Sequence, residues 1–293
     1  MKIQILRRVG ISLLVAMALS VVMFAATRML PGDPAGAYQP SEQSYFEWLA
    51  GIVVGDFGVS QTGHPASEVL AATIPYSLAL LAAAVIIATT LGLWIGKASA
   101  RRQVTRAKHR TGWISLILTA VPEFIVGIVL LGIFAVFVVP FLPTGSALET
   151  PWWETLLQWM LPLLTLVLVA TPYMVLVTRS ALVAALDSDA AEMARLRGVP
   201  ENVVVSSHAT PLTIGPIARG VAMQLTWLIS GVVVVEYLFQ YPGVGQALVN
   251  AVSTRDVQVV QAIVLVLILV CIIVHLLAQV VEILANPRLR STT

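Results

Sequence analysis

Six stretches of this chain are long and apolar: residues 9–29, 74–96, 113–141, 160–177, 217–239 and 259–285. A helix that crosses a bilayer needs about 20 mainly apolar residues, because only a helix satisfies its own backbone in lipid. The pattern therefore predicts an all-α integral membrane bundle of six transmembrane helices. Composition agrees. Of the 293 residues, 58% are hydrophobic and 11% are charged, against about 25% charged in soluble domains. Pro122 and Pro140 fall in the third stretch, and Pro162 and Pro172 in the fourth. Each removes a backbone donor, so kinks or helix ends are expected there.

Orientation follows from the basic residues. Of the 17 Lys and Arg, 15 lie at the amino terminus, in segments 97–110 and 178–219, or in the tail. The opposite side keeps Arg28 and Arg255 and collects Asp33, Glu42, Glu47, Asp56, Glu68, Glu149, Glu154 and Asp256. This split puts both termini in the cytoplasm. The formal charge of +2 thus reports topology, and no nucleic-acid partner is implied. The amino terminus imitates a signal peptide, but its apolar run exceeds the 7–15 residues of a signal core, so it reads as a retained first helix. Cys271, the single cysteine, lies in an apolar run and reads as a small packing residue.

Residues 1–73 divide into the first membrane helix and an external segment, 74–286 form a five-helix core, and 287–293 a tail. In the external segment, Leu-Pro-Gly-Asp-Pro at 30–34 stops the first helix. Tyr45, Trp48, Leu49 and Ile52 then have the spacing of a short interfacial helix. Trp152, Trp153 and Trp159 suggest an interfacial belt or contact with an external partner. Tyr241-Pro-Gly-Val-Gly245 reads as a turn before a short apolar helix at 247–252.

The most polar cytoplasmic stretch is 186–211. Asp189 with Glu192 forms a capping-box pattern that starts a short helix, and Gly198 with Pro200 stops it. Leu186, Ala190, Met193 and Ala194 share one helical face. Small residues at 190, 191 and 194 offer a smooth surface for another protein, with Glu192, Arg195 and Arg197 flanking it. An ordinary interfacial helix between two spans fits these residues equally well.

Within the spans, Glu123, Gln224, Thr226, Ser230 and Glu236 are candidates for a translocation path, because polar groups in lipid are costly. Glu123, about ten residues into the third span, is open to three roles: path lining, pairing with a partner, or an interfacial position. Glu236 is favoured as gate support. Helix–helix hydrogen bonding is the competing role for Gln224, Thr226 and Ser230. His64, His109, His208 and His275 are scattered without metal-ligand spacing, so no metal site is expected in this chain.

The stretch Glu192, Ala194, Gly198, His208 and Pro211 resembles the EAA loop of type I ABC importer permeases, with Met193 at the middle alanine. Further segments place the resemblance in the dipeptide/oligopeptide/nickel branch, B-type subunit. They are Arg7-Arg8, the segment 28–35, Gly55-Asp-Phe-Gly58, Pro122 with Phe124 and Gly127, Val-Val-Val-Glu-Tyr-Leu-Phe at 233–239, Pro-Gly-Val-Gly at 242–245, Arg255-Asp256, and 286–290. The chain departs in a short external stretch, 35–44. The resemblance implies a non-catalytic subunit of the bacterial inner membrane. Its implied partners are a homologous second permease, two cytoplasmic ATPase subunits, and an extracytoplasmic substrate-binding protein. ATP and magnesium would belong to the ATPases, since no phosphate-binding Gly-x-x-x-x-Gly-Lys loop occurs here. Residues 190–197 would be the coupling lever, with His208 and Pro211 completing its loop. An autonomous secondary transporter or channel is the alternative. It usually shows related halves or charges in several helices, which this sequence lacks.

Overall fold

The computed structural model describes residues 2–29, 44–104, 110–137 and 152–285. The Leu-Pro-Gly-Asp-Pro stop, most of the second external loop and the tail lie outside them, as do the side chains of Arg7, Arg8, Trp152 and Trp153. The helices are α1 (Lys2–Met29), α2 (Tyr45–Val53), α3 (Ala66–Val104), α4 (Arg110–Thr119), α5 (Glu123–Phe137) and α6 (Trp152–Leu186). After them come α7 (Asp189–Leu196), α8 (Glu201–Val203), α9 (Ile214–Leu238), α10 (Val244–Ser253) and α11 (Val257–Ala285). Among the described residues, four helical stretches are long and apolar enough to cross a membrane: Ala66–Ala100, Trp159–Leu186, Glu201–Leu238 and Val257–Leu277. Two shorter apolar helices, Gly10–Ala25 and Glu123–Phe134, accompany them.

Proline acts differently in the two expected places. The third stretch is broken: α4 ends at Thr119, and the Pro122 carbonyl accepts from the Ile125 and Val126 N–H groups to start α5. Pro162 and Pro172 instead lie inside a continuous α6. A proline removes one hydrogen bond, and a long helix with packed neighbours can absorb that loss. The second long helix also begins at Ala66, ahead of the expected residue 74.

The core lies where α3, α6 and α9 meet. Leu80, Ala84, Ala88, Leu166, Ala170, Leu228 and Val232 are buried together there. Glycine sets the approach of α3 to α6. A Cβ on Gly92 would lie 2.3 Å from the Met174 Cβ, and one on Gly96 would lie 2.7 Å from the Thr178 Cβ. Gly92 and Gly96 are four residues apart, the small-residue pattern that lets membrane helices pack backbone to backbone.

Four described helices end by one device. In α2, α7, α9 and α10 the chain turns left-handed just past the helix, at Gly55, Gly198, Gln240 and Arg255. The next N–H then reaches back to the third-last helical carbonyl: Asp56 to Gly51, Val199 to Ala194, Tyr241 to Glu236, and Asp256 to Ala251. This is the Schellman closure, and it fixes the direction of the connections that leave these four helices. The aromatic helix α2 folds back on α1, with Tyr45 and Trp48 against Phe24 and the Tyr45 hydroxyl 2.8 Å from Ser20 Oγ.

Candidate coupling element, buried glutamate hub and cavity

The helix α7 forms where the sequence places it, with a different cap. Ser188 is the N-cap residue and Asp189 the first helical position, and no side chain closes the cap. The Ser188 hydroxyl donates instead to the Ala185 carbonyl at 2.6 Å, tying the turn to the end of α6. Gly198, at φ +76°, ends the helix as expected.

The expected smooth face is turned inward. Ala191 and Ala194 are buried in a cluster with Ala100, Leu182, Ala185, Leu186, Val204 and Val205 of the same chain. Their small size lets α7 lie flat on its own bundle. The solvent-facing side carries Ala190, Glu192, Arg197 and two large apolar residues, Met193 (58% exposed) and Leu196 (75% exposed). Leu196 was missed in the sequence, although it stands one turn from Met193.

Arg195 braces the element. Its Nε and Nη2 donate to the two Glu201 carboxylate oxygens at 3.0 and 2.8 Å, and its Nη1 donates to the Leu186 carbonyl at 2.9 Å. The fork geometry suits guanidinium. The hydrogen bonds from Arg195 hold the Glu201 carboxyl below its usual range, and Glu201 in turn raises the Arg195 guanidinium. Arg195 is thus an internal cross-link between α6, α7 and α8. Beyond α8 the chain passes through a π-helical turn, Val204–Ala209, and a 3₁₀ turn, Thr210–Thr213. His208 is half-buried in the first and Pro211 exposed in the second.

At the other end of α9, Glu236 is fully buried. One oxygen accepts from Ser77 Oγ on α3 at 2.6 Å and the other from the Gly245 N–H at 2.6 Å. Ser77 Oγ accepts from the Val244 N–H at 2.7 Å. The first two amides of α10, which no helical carbonyl can satisfy, are therefore capped from two other helices. This geometry accounts for the run Glu236…Pro-Gly-Val-Gly245. A Cβ on Gly243 would sit 2.3 Å from the carboxylate, and one on Gly245 would sit 2.4 Å from the Val233 Cα. The ring of Tyr241 is buried beneath, edge-on to Trp159, with its hydroxyl donating to the Tyr76 carbonyl. Asp256 plays a matching part nearby: its carboxylate accepts from Ser60 Oγ and from the Gln61 and Val259 N–H groups.

The other path candidates do not gather at one place. Glu123 is the first residue of α5, at the break that follows α4, and its carboxylate lies against Gly231 of α9. An acid is favourable at that helix start. Thr226 donates within α9 to Ala222 and lies 3.1 Å from His275 Nδ1 of α11, so it joins two helices. Ser230 is exposed. Gln224 faces another way, into the wall of a cavity of about 300 Å³ lined by Thr119, Tyr173, Met223 and Trp227. A second cavity of about 330 Å³ shares Tyr173 and Met223 and continues along α9 to Arg219. Among the described residues, no cluster of His, Cys, Asp or Glu could hold a metal.

Long apolar helices around a buried core and an apolar exterior define a multi-pass membrane protein, with a braced polar element between α6 and α9. The chain belongs to the family of binding-protein-dependent transport system inner membrane components, whose profile matches residues 88–291. It is 32% identical over 294 residues to the glutathione transport system permease protein GsiC of Salmonella typhi, covering 92% of this chain and 93% of that one. It is 27% identical to the dipeptide transport system permease protein DppB of Lactococcus lactis subsp. cremoris, over 98% of both chains. It is also 27% identical to the oligopeptide transport system permease protein AppB of Bacillus subtilis, over 99% of both.

Proposed function

We propose that this chain is one of two related permease subunits of an ATP-driven peptide importer. Its six apolar segments span the membrane, α4 and α5 together making the third, with both termini in the cytoplasm. Two ATPase subunits supply the energy, and an extracytoplasmic binding protein delivers the cargo. The relatives' names favour short peptides, including glutathione-like ones, over a nickel chelate. The observation that carries the reading is α7. It is held to its own chain by the buried Ala191 and Ala194 and by the Arg195 cross-links, and it presents Met193 and Leu196 outward. Exposed large apolar residues on an otherwise charged helix mark a contact surface. In this reading α7 seats in an ATPase cleft and carries its motion into α6 and α9. Glu236 and Asp256 hold the external connections, so the outer end moves as a unit.

The test is to replace Met193 and Leu196 with Asp, singly and together, and to measure copurification of the ATPase and peptide-stimulated ATP hydrolysis. The double variant should lose at least tenfold in both, since the residues that dominate an interface each contribute about 2 kcal/mol or more. Undiminished assembly and turnover in the double variant would remove the docking role.

A further inference from the structure

The helix α2 has the composition of a core and no core around it. Its nine residues, Tyr-Phe-Glu-Trp-Leu-Ala-Gly-Ile-Val, carry one charge, yet none of them is buried. A helix under about 12–15 residues is marginal in water by itself, so a segment this short and this apolar needs a surface to lie on. Its own chain covers only part of it. Tyr45, Trp48, Leu49 and Ile52 are half-buried, and Tyr45 and Trp48 pack on Phe24 of α1. A second apolar stripe is left open. Phe46, Ala50, Val53 and the capping residue Val54 follow one another at the spacing of a single helical face. Phe46, Val53 and Val54 are 76%, 81% and 82% exposed. Glu47 and Gly51 hold the remaining edge, where the exposed Glu47 carboxylate accepts from the Ser44 N–H at 2.9 Å.

The contacts with α1 fix the level of the open stripe. The Tyr45 hydroxyl reaches Ser20, and the Tyr45 and Trp48 rings meet Phe24. Arg28 marks where the apolar run of α1 ends. At 1.5 Å per residue, Phe24 lies about 6 Å and Ser20 about 12 Å to the membrane side of Arg28. The helix α2 is therefore level with the apolar part of α1. Helices that lie in a bilayer interface bury their apolar face to a similar depth, about 5–10 Å into the headgroup–acyl boundary. The place matches the level. Among the described helices the principal neighbour of α1 is α11, so α1 stands at the edge of the bundle. Its outward side is apolar, with Leu13, Leu14, Met17, Val21 and Val22 exposed. The stripe on α2 continues that lipid-facing exterior.

We infer that α2 is a lipid-binding element, with Phe46, Ala50, Val53 and Val54 inserted among acyl chains of the outer leaflet and Glu47 kept at the water surface. The helix then has three sides, one for α1, one for lipid and one for water. The lipid supplies the apolar surroundings that α1 alone does not. The inference rests on the topology of the proposed function, which puts the end of α1 outside.

The experiment uses the complete importer in liposomes of phosphatidylethanolamine and phosphatidylglycerol. With Cys271→Ser as background, a nitroxide is attached to Val53→Cys or to Glu47→Cys. Power-saturation EPR compares collisions with oxygen, which concentrates in lipid, and with water-soluble chromium oxalate. The label at 53 should favour oxygen and report a depth of about 5–10 Å below the phosphates. The label at 47 should favour chromium oxalate. Val54→Cys repeats the reading if the first variant fails to assemble. Preference for chromium oxalate at 53 or 54 overturns the inference. So does low collision with both probes, which would put a second permease or a binding protein over the stripe. In intact cells, Glu47→Cys should react with an impermeant maleimide added outside. Reaction only after the cells are opened overturns the topology and the outer-leaflet assignment with it. Outside reaction at 47 with chromium access at 53 sinks the lipid contact and leaves the topology standing.

Discussion

The carboxylate of Glu236 fills the space that a side chain on Gly243 would need: its nearest atoms lie 2.3 Å from an ideal Cβ there. The two residues are seven positions apart, on either side of the turn that joins α9 to α10. The glycine is required by what lies beside it, and its own backbone angles are ordinary (φ −102°).

Gly243→Ala is therefore expected to displace the carboxylate and uncap α10. Overpacking of this kind costs about 1–3 kcal/mol. Thermal unfolding of the purified complex should show the drop. Gly132→Ala is the control, because nothing lies within 4 Å of that position. Equal melting temperatures for the two variants would contradict the crowding argument.

Ser77 and Glu236 act on the same amides, so their substitutions should not add. Ser77→Ala leaves the Val244 N–H without its acceptor and removes a donor from Glu236. Each single change is expected to cost about 1–3 kcal/mol. The double variant, Ser77→Ala with Glu236→Gln, should cost less than the sum by at least about 0.5 kcal/mol. Strict additivity in a double-mutant cycle would argue against a shared cap.

At the α3–α6 contact, Gly92→Ala places a methyl 2.3 Å from the Met174 Cβ and 3.0 Å from its backbone carbon. Backbone cannot step aside, so the two helices must separate. The expected cost is about 1–3 kcal/mol or more, read as lower yield and a lower melting temperature. Adding Met174→Ala should recover little, because the Cβ at 174 and the backbone carbon both stay in place. Full recovery would show that only the atoms beyond Cβ were crowded.

The Arg195–Glu201 pair gives a pH dependence with a definite sign. The Glu201 carboxyl is held below its ordinary value by Arg195. Its contribution is thus complete above the unfolded glutamate value, about 4.3, and is lost as pH falls through the lower folded value. Side-chain exposure is 37% for Arg195 and 44% for Glu201, so the effect stays within about 0–1 kcal/mol and weakens with salt. Hydrogen exchange of α7 amides should quicken as pH drops through this window, after correction for intrinsic rates. Glu201→Gln should remove that extra step, and an unchanged profile in the variant would assign it elsewhere.

The helical class and the short elements α2, α7 and α10 were legible because apolar runs and turn residues are local signals. The stop at Gly198 was legible for the same reason. The direction of the α7 alanines was not. Periodicity shows that residues share a face but not which body covers it, and here the covering body is the chain itself. Glu201 as the partner of Arg195 was hidden by the intervening Gly-Val-Pro turn, which breaks helical spacing. Ser77 was beyond reach, standing 159 positions from Glu236. Thr226 and Gln224 looked alike as polar residues in one span. They differ because one meets His275 of α11 and the other is buried with its amide unpartnered.

The Arg195 brace joins positions only six and nine residues away. Contacts so close in sequence form early and at little entropic cost. During synthesis the segment from Leu186 to Glu201 can close its cross-links before α9, α10 and α11 have been made. The surface that carries Met193 and Leu196 can then take shape on the nascent chain, ahead of the bundle on which it rests.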